Sequence, residues 1–412
     1  MDYKSQMMAY QREKAYMKYP LASKTWDEAE YQAVMKVFGG DYYKMGSYCK
    51  QFEKAYAEWA GTKYAVFCNS GSSANLLAIA ALRHDPRFLT DKRDEIIVPA
   101  VSWSTTYYPV MQLGYKPIFV DICDKTFNIQ IEDLEKKITP NTRAIFTVNL
   151  LGNPCDFGAL KRLCEQHNLV LLEDNCESMG ASYHGKKTGS HGLIGTQSTF
   201  FSHHICTMEG GICVTDDELT YELLISLRAH GWIRDVENEA LFYTYFEKPE
   251  SELYEHFHFV LPGYNFRPTE IQGALGLEQL KKLDGFINER IINAEYFQNT
   301  MLKLNSGLQF QQEQEDGQSS WFWFGLLCEH KEQRDVLARI LKKQGVDCRP
   351  IVSGNMLRQP IFSNLAQPEK FPNAQKIHDC GLAIGNHHYD AQKEIDYFTQ
   401  VFQSHILTTE VS

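Results

Sequence analysis

The run Asn69-Ser70-Gly71-Ser72-Ser73-Ala74 follows an apolar segment and opens a stretch of good helix formers. Free backbone N–H groups at a helix start, backed by hydroxyls, can cradle a phosphate, and Gly71, Ser72 and Ser73 are the candidates; the same residues also suit a simple helix cap. Asp174 follows the apolar run Leu169–Leu172, at the carboxyl end of a strand, where open α/β sheets place their ligands. Its carboxylate can keep a ring nitrogen protonated and so make the ring an electron sink, or it can serve as a turn carboxylate. Trp103 has a flat ring that suits either stacking on such a group or packing in a core. Glu177 lies three positions after Asp174, within reach of a ring hydroxyl, or stands there as a polar loop residue. His203-His204 sits in a polar, small-residue segment that core packing does not explain. An unperturbed imidazole titrates at about 6.5 and can move protons near neutrality, although a lone histidine is more often packed or on the surface.

The elements that must position these residues are short apolar strands alternating with helical segments. Strands are expected at Tyr64–Cys68, Glu95–Val98, Ile118–Val120, Ala144–Val148, Leu169–Leu172, Thr196–Phe201 and Gly211–Val214. Ala74–Leu82, Ile131–Ile138 and Asp156–His167 read as crossovers between them, which implies a mostly parallel sheet covered on both faces. Upstream, Thr25 and Glu28 suggest a capping box for a helix bearing Ala29, Val34, Met35 and Phe38 and ended by Gly39-Gly40, with a second helix at about Ser47–Ala60. Downstream of a helix ending at Arg228 comes an acidic, aromatic insertion from Asp235 to Phe259, then a long helical stretch from Thr269 towards Leu304, with room for a break.

Apolar residues disappear over Gln312–Ser320, after which Trp321–Leu327, Lys331–Gly345 and Val346–Ile351 alternate as strand, helix and strand. The expected organisation is an amino-terminal arm and large domain over 1–268, a helical connection over 269–315 and a small α+β domain over 316–412. A chain of 412 residues accommodates that division.

A net charge of -11 without a basic stripe argues against nucleic acid. The charged amino terminus has no secretory apolar core, and no run reaches a membrane span, so a soluble, cytoplasmic protein is expected. Eleven cysteines in no regular framework read as reduced thiols, and no metal is expected.

The segments NSGSSANLLA (69–78), VPAVSWSTT (98–106), VNLLGNPCD (148–156), LLEDNCES (171–178), STFFSHHICTMEGGICVTDD (198–217), RAHGWIRD (228–235), LPGYNFRPTEIQGALG (261–276) and CRPIVSGN (348–355) together carry a family resemblance. The chain resembles the DegT/DnrJ/EryC1/StrS sugar aminotransferases and dehydratases, which act on nucleotide-linked keto-sugars with pyridoxal phosphate. The resemblance implies an aspartate-aminotransferase-like fold, fold type I: a large domain with a seven-stranded, mostly parallel sheet plus a smaller carboxyl-terminal α+β domain. It implies that Gly71, Ser72, Ser73 and Thr199 bind the cofactor phosphate, Trp103 stacks on the ring, Asp174 meets its nitrogen and Glu177 its hydroxyl. Asn265 would reach the phosphate of a neighbouring subunit, in a homodimer with shared sites. Arg267 and Arg349 are candidates for gripping a substrate phosphate or a donor carboxylate.

Most members have a lysine after the SxF segment that links covalently to the cofactor; His204 is taken to occupy that place, with the role of His203 left open. An imidazole cannot form the link but can serve as acid and base. The resemblance therefore implies a non-covalently bound cofactor cycling between pyridoxal and pyridoxamine phosphate, with glutamate as amino donor. The expected reaction is C3 dehydration of a nucleotide-linked 4-keto-6-deoxy sugar, GDP-4-keto-6-deoxy-D-mannose or a heptose analogue, with release of 2-oxoglutarate and ammonia. A sugar-nucleotide 4-aminotransferase and a non-catalytic sugar-nucleotide-binding regulator are the alternatives. The iron–sulfur branch of 3-dehydrases needs four thiolates, and after Cys206 and Cys213 the next cysteine is Cys328, so no iron–sulfur reductase is expected as a partner.

Overall fold

The aliphatic runs bounded by polar turns do form the central sheet of this computed structural model, which describes residues 17–404 except 305 and 366. The amino-terminal segment read above for targeting signals therefore lies largely outside the described residues. Five strands appear first: β1 (Tyr64–Cys68), β2 (Glu95–Pro99), β3 (Lys116–Val120), β4 (Thr142–Val148) and β5 (Val170–Asp174). A short hairpin follows, β6 (Ser182–Tyr183) with β7 (Lys186–Lys187), and then β8 (Ile194–Ser198) and β9 (Gly211–Thr215). The sheet has seven strands in the order β1-β9-β8-β5-β4-β2-β3, and β9 alone runs antiparallel to its neighbours. Every residue of β4 is buried, as helices on both faces of a parallel sheet require.

Helices at Gly71–His84, Ile131–Lys137 and Phe157–His167 fill the expected crossovers. A further helix, Ser104–Gln112, escaped the reading because Pro109 lies inside it. Strand β8 ends at Ser198, three residues before the expected Phe201.

Two local expectations are corrected at the first helix, Glu28–Phe38. Its capping box is Asp27 with Glu30: Asp27 accepts from Ala29 N–H at 2.8 Å and Glu30 from Asp27 N–H at 2.7 Å. Thr25 instead donates its hydroxyl to Gln279 Oε1 at 2.6 Å. The buried face is Glu30, Ala33 and Val37, while Met35 and Phe38 are exposed.

The smaller lobe is a four-stranded antiparallel sheet of β10 (Gln309–Phe310), β12 (Trp323–Leu327), β13 (Cys348–Arg349) and β14 (Gly381–Gly385), in the order β10-β12-β14-β13. The boundary expected at 316 is interlaced rather than single. Gln309–Phe310 already belongs to the small sheet, β11 (Gly317–Gln318) still pairs with β6, and Tyr19 from the amino-terminal arm is buried in the small lobe's core. Among the described residues no helix is long and apolar enough to cross a membrane, and none of the eleven cysteines is paired.

The long helix Glu270–Leu304 runs 35 residues without a break. Its first residue caps another helix: Glu270 is buried and accepts from the N–H groups of Gly46, Tyr48 and Cys49 at 2.8, 3.0 and 3.1 Å. The Ser47–Ala60 helix has Gly46 at its cap and no capping side chain of its own, so this carboxylate meets the helix's open N–H groups, that of buried Cys49 among them. Glu270→Ala is expected to cost about 2–3 kcal/mol, read as a lower urea midpoint at an unchanged slope, because buried donors lose a charged acceptor.

Candidate active site

Sheet topology brings the carboxyl ends of β4, β5 and β8 to one rim, and the amino terminus of the Gly71–His84 helix faces them across a cavity of about 280 Å³. Ser70, Gly71 and Ser72 line one wall, with the hydroxyls of Ser198 and Ser202 beside them. Ser70 is the helix cap, accepting from Ser73 N–H at 3.1 Å, so the cap and a cradle coexist. Gly71 has to lack a side chain: a Cβ there would stand 2.6 Å from Ser198 Cβ. The helix start thereby closes on the end of β8, and donors from both face one small volume.

Asp174 is buried at the end of β5 and lines the cavity. Its Oδ2 accepts from Asn75 Nδ2 at 2.8 Å and Thr106 Oγ1 at 2.7 Å, and its Oδ1 from Cys176 N–H at 3.2 Å. Neighbouring Glu173 accepts from Gly189, His191 and Gly192 N–H at 2.6, 2.6 and 2.7 Å, which pins the turn leading into β8. Glu177 also lines the cavity; it accepts from Leu151 N–H at 3.1 Å, and burial pushes its carboxyl up to about 7 against the opposing charge of Arg349. Trp103 stands at the mouth with half its surface exposed (52%), and Arg349 enters from β13 with its guanidinium 4.2 Å over the Trp323 ring.

The polar β8–β9 loop corrects two expectations by one residue each. Thr199 is fully buried and off the cavity wall, with its hydroxyl paired to Thr207 Oγ1 at 2.5 Å; Ser198 is the residue that lines the wall. His204 is likewise fully buried and off the wall, with Nε2 3.2 Å from the Ser320 carbonyl, whereas His203 faces the cavity. Both assignments rest on the resemblance alone, which places them one position too far along the segment that leaves β8 at Ser198.

His203 is well placed to handle a proton. Its Nδ1 lies 2.7 Å from the Cys176 carbonyl, which can only accept, so Nδ1 carries the hydrogen and Nε2 keeps its lone pair. Burial pulls its pKa down to about 4, with the charges of Arg349 and Arg290 adding to the effect, so the ring is neutral near pH 7. None of the residues lining the cavity is a lysine; Lys187 donates to the Trp59 carbonyl at 2.8 Å.

Asn265 and Arg267 do not line this cavity. Asn265 is exposed on the loop before the long helix, and Arg267 Nε donates to its Oδ1 at 3.0 Å. Phe322, Trp323, Cys176, Asn75 and Thr105 line the wall without having been singled out from the sequence. Phe322 and Trp323 come from the far lobe and carry no local signal of that approach. Asn75 could have been found, since it follows the Asn69–Ala74 run by one position and lies one helical turn beyond Gly71 on the same face.

Residues 24–403 match the DegT/DnrJ/EryC1/StrS aminotransferase family. The GDP-4-keto-6-deoxy-D-mannose 3-dehydratase of Escherichia coli O55:H7 is 46% identical over 390 residues, covering 93% of this chain and 99% of that protein. A crystal structure of GDP-4-keto-6-deoxymannose-3-dehydratase with a trapped PLP-glutamate geminal diamine superposes with a TM-score of 0.85 at 46% identity, covering 93% of this chain and all of that one (100%). A second structure is of a variant of that dehydratase in which a serine and the histidine after it are replaced by asparagine and lysine. It has a TM-score of 0.86 at 46% identity and covers 92% of this chain and 100% of that one.

The raised pKa of Glu177 makes a stability prediction for the cofactor-free protein. An unfolded glutamate loses its proton above about 4.5 while the folded one keeps it to about 7, so between those values the folded state binds more protons and stability falls as pH rises. Glu177→Gln removes that loss. The melting temperature of the variant minus that of the parent should therefore increase from about pH 5 to about pH 7.5 and then level off. A difference that stays flat across that interval would show that Glu177 titrates normally.

Proposed function

The chain belongs to the DegT/DnrJ/EryC1/StrS aminotransferase family, and from that premise we propose that it is a pyridoxal-phosphate-dependent lyase. It dehydrates a GDP-linked 4-keto-6-deoxy sugar, GDP-4-keto-6-deoxy-D-mannose, at C3, with glutamate as amino donor. The observation that carries this reading is His203, a neutral imidazole on the wall of a cavity whose lining contains no lysine. The replaced serine–histidine pair of the dehydratase variant has its counterpart in Ser202-His203, the one place in the β8–β9 loop where a serine precedes a histidine. The proton carrier is therefore His203, in place of His204.

The cavity fits the cofactor. Backbone amides of Gly71 and Ser72, with the hydroxyl of Ser198 in place of Thr199, suit its phosphate, and Ser73 contributes through the Ser70 cap it completes. Trp103 would cover the ring, Asp174 would keep the ring nitrogen protonated, and Glu177, its carboxyl poised near neutrality, would meet the ring hydroxyl. When bound, the cofactor supplies an aldehyde that takes up the amino group of glutamate and a protonated ring that takes up an electron pair.

His203 Nε2 accepts the proton released in the glutamate half-reaction. In the sugar half-reaction it takes the corresponding proton and returns one to the departing C3 hydroxyl, which leaves as water. Its Nδ1–H, donated to the Cys176 carbonyl, keeps the working nitrogen aimed at the same place in both directions. Arg349 is the cation available to the carboxylate of glutamate or the diphosphate of the sugar nucleotide. The lining holds Asp174, Glu177 and Glu209 against Arg349 alone, a poor balance for polyanionic ligands. That imbalance supports a homodimer in which Asn265 and Arg267 of each subunit serve the other's site.

With GDP-4-keto-6-deoxymannose and glutamate, the protein should yield a sugar nucleotide lighter by one oxygen atom, with 2-oxoglutarate and ammonia in equal amounts. A product that keeps the nitrogen would instead make it a 4-aminotransferase. His203→Asn should slow both half-reactions by ~10²–10⁴-fold while the protein stays folded. Asn265→Ala should weaken cofactor retention by about 1–3 kcal/mol, measured by dialysis of the dimer. Undiminished retention, or full activity in a monomer, would exclude the shared site.

A further inference from the structure

Three successive carbonyls, Ser320 to Phe322, are each held by a side chain from a different element where the chain crosses from the large lobe into β12. His204, in the β8–β9 loop, lies with Nε2 3.2 Å from the Ser320 carbonyl. Asn386, just after β14, donates to the Trp321 carbonyl at 2.8 Å, and Arg290 of the long helix donates to the Phe322 carbonyl at 2.8 Å. From the large lobe, the carbonyls of Gly152 and Leu151 accept from Ser320 N–H at 2.8 Å and Phe322 N–H at 3.0 Å. Trp321 between them has φ +46°, in the left-handed region where a bulky residue is strained unless its surroundings enforce it. The approach is close enough that a Cβ on Gly152 would stand 2.4 Å from Trp321 N.

This crossing presents Phe322 to both histidines. The Phe322 ring stacks on His203 at 5.1 Å and 28°, and on His204 at 5.7 Å and 30°. Phe322 and His203 line the cavity, and His204 does not. The Ser320 carbonyl only accepts, so the hydrogen of His204 is on Nε2; Nδ1 is buried without a partner, and burial, with the Arg290 charge added, opposes a second proton there. A ring so placed is a fixed donor with no route for carrying protons to the cavity. The same corner reaches Glu177, whose Oε2 accepts from Leu151 N–H at 3.1 Å.

Resting on the dehydratase reading above, we propose that His204 is a positioning residue for His203: its bond to the Ser320 carbonyl locks the Ser320–Phe322 crossing against the β8–β9 loop, so that Phe322 holds the His203 ring at the cavity. The clamp joins the small lobe to the proton-handling group, and the rate depends on it through geometry.

Three variants test this, with the glutamate half-reaction followed by cofactor absorbance, dehydration by kcat and KM, and folding by thermal melting. His204→Leu removes the donor, His204→Gln supplies an amide N–H near the position of Nε2, and Phe322→Leu removes the supporting ring. His204→Leu and Phe322→Leu should slow both half-reactions about tenfold to 100-fold with KM for the sugar nucleotide little changed, and His204→Gln should recover to within a few-fold of the parent. A folded His204→Gln as slow as His204→Leu would show that the imidazole itself is needed, and parental rates in His204→Leu would show that the clamp is idle; either overturns the proposal. If His204→Leu does not fold, the other two decide: an active His204→Gln beside a slowed Phe322→Leu upholds it, and a Phe322→Leu at parental rate overturns it. A parent protein that completes the glutamate half-reaction but makes no 3-deoxy sugar would sink the dehydratase reading alone, since the clamp is still judged on the glutamate step.

Discussion

A buried carboxylate has to be met by donors from several directions, and Asp174 organises the larger lobe around that requirement. Its Oδ2 takes hydrogen bonds from Asn75 and Thr106, and its Oδ1 one from Cys176 N–H, so two helices and the loop after β5 converge on one side chain. Asn75 is itself fixed through its Oδ1 by Thr196 Oγ1 at 2.5 Å, which adds β8 to the knot. Removing any of these donors would leave a buried charge short of partners, a costlier fault than the loss of one ordinary hydrogen bond. The helix start at Gly71, the Trp103 corner and the end of β8 consequently keep fixed positions around whatever ligand Asp174 faces.

The sheet was legible because its strands are aliphatic runs of five to seven residues, buried on both faces and separated by long crossovers. Asp174, Glu177 and Gly71 were legible for a related reason: strand ends and helix starts show directly as changes in composition. The β8–β9 loop has no such edge. Ser198, Thr199, Ser202, His203 and His204 are all polar, no periodicity says which of them face inward, and the strand end that decides it falls within the polar run. The choice between two adjacent histidines thus rested on the resemblance alone, and in the folded loop His203 lines the cavity while His204 does not. The contribution of the small lobe was invisible for another reason, since Phe322 and Trp323 approach the wall only through tertiary packing.

The crossing at Ser320–Phe322 shows how a site between two lobes can be held rigid. Trp321 in a left-handed conformation stays there because both flanking peptide groups are held from opposite sides, by Gly152 and Leu151 in the large lobe and by His204, Asn386 and Arg290 around it. Arg290 is buried, which drags its guanidinium down to about 10, and its Nη1 donates to the carbonyls of Phe322 and Asn386. Burial disfavours a second proton on His203 and His204, and the charge of Arg290 adds to that effect. The same residue therefore fixes backbone geometry and favours neutral imidazoles beside the cavity.

Exchanging a lysine for a histidine leaves every one of these constraints standing, because none of them involves the exchanged side chain. On the proposed reading the cofactor phosphate would depend on a helix start and the ring nitrogen on Asp174, while the lobe crossing depends on carbonyl partners; only the group that would handle the proton changes. A lysine in that position joins covalently to the cofactor and later displaces the product from it. On the same reading His203 would do the proton transfer but not the displacement, which falls to water. The nitrogen is lost as ammonia because departure of the C3 hydroxyl leaves it on an unsaturated carbon, and the enamine so released hydrolyses to the ketone.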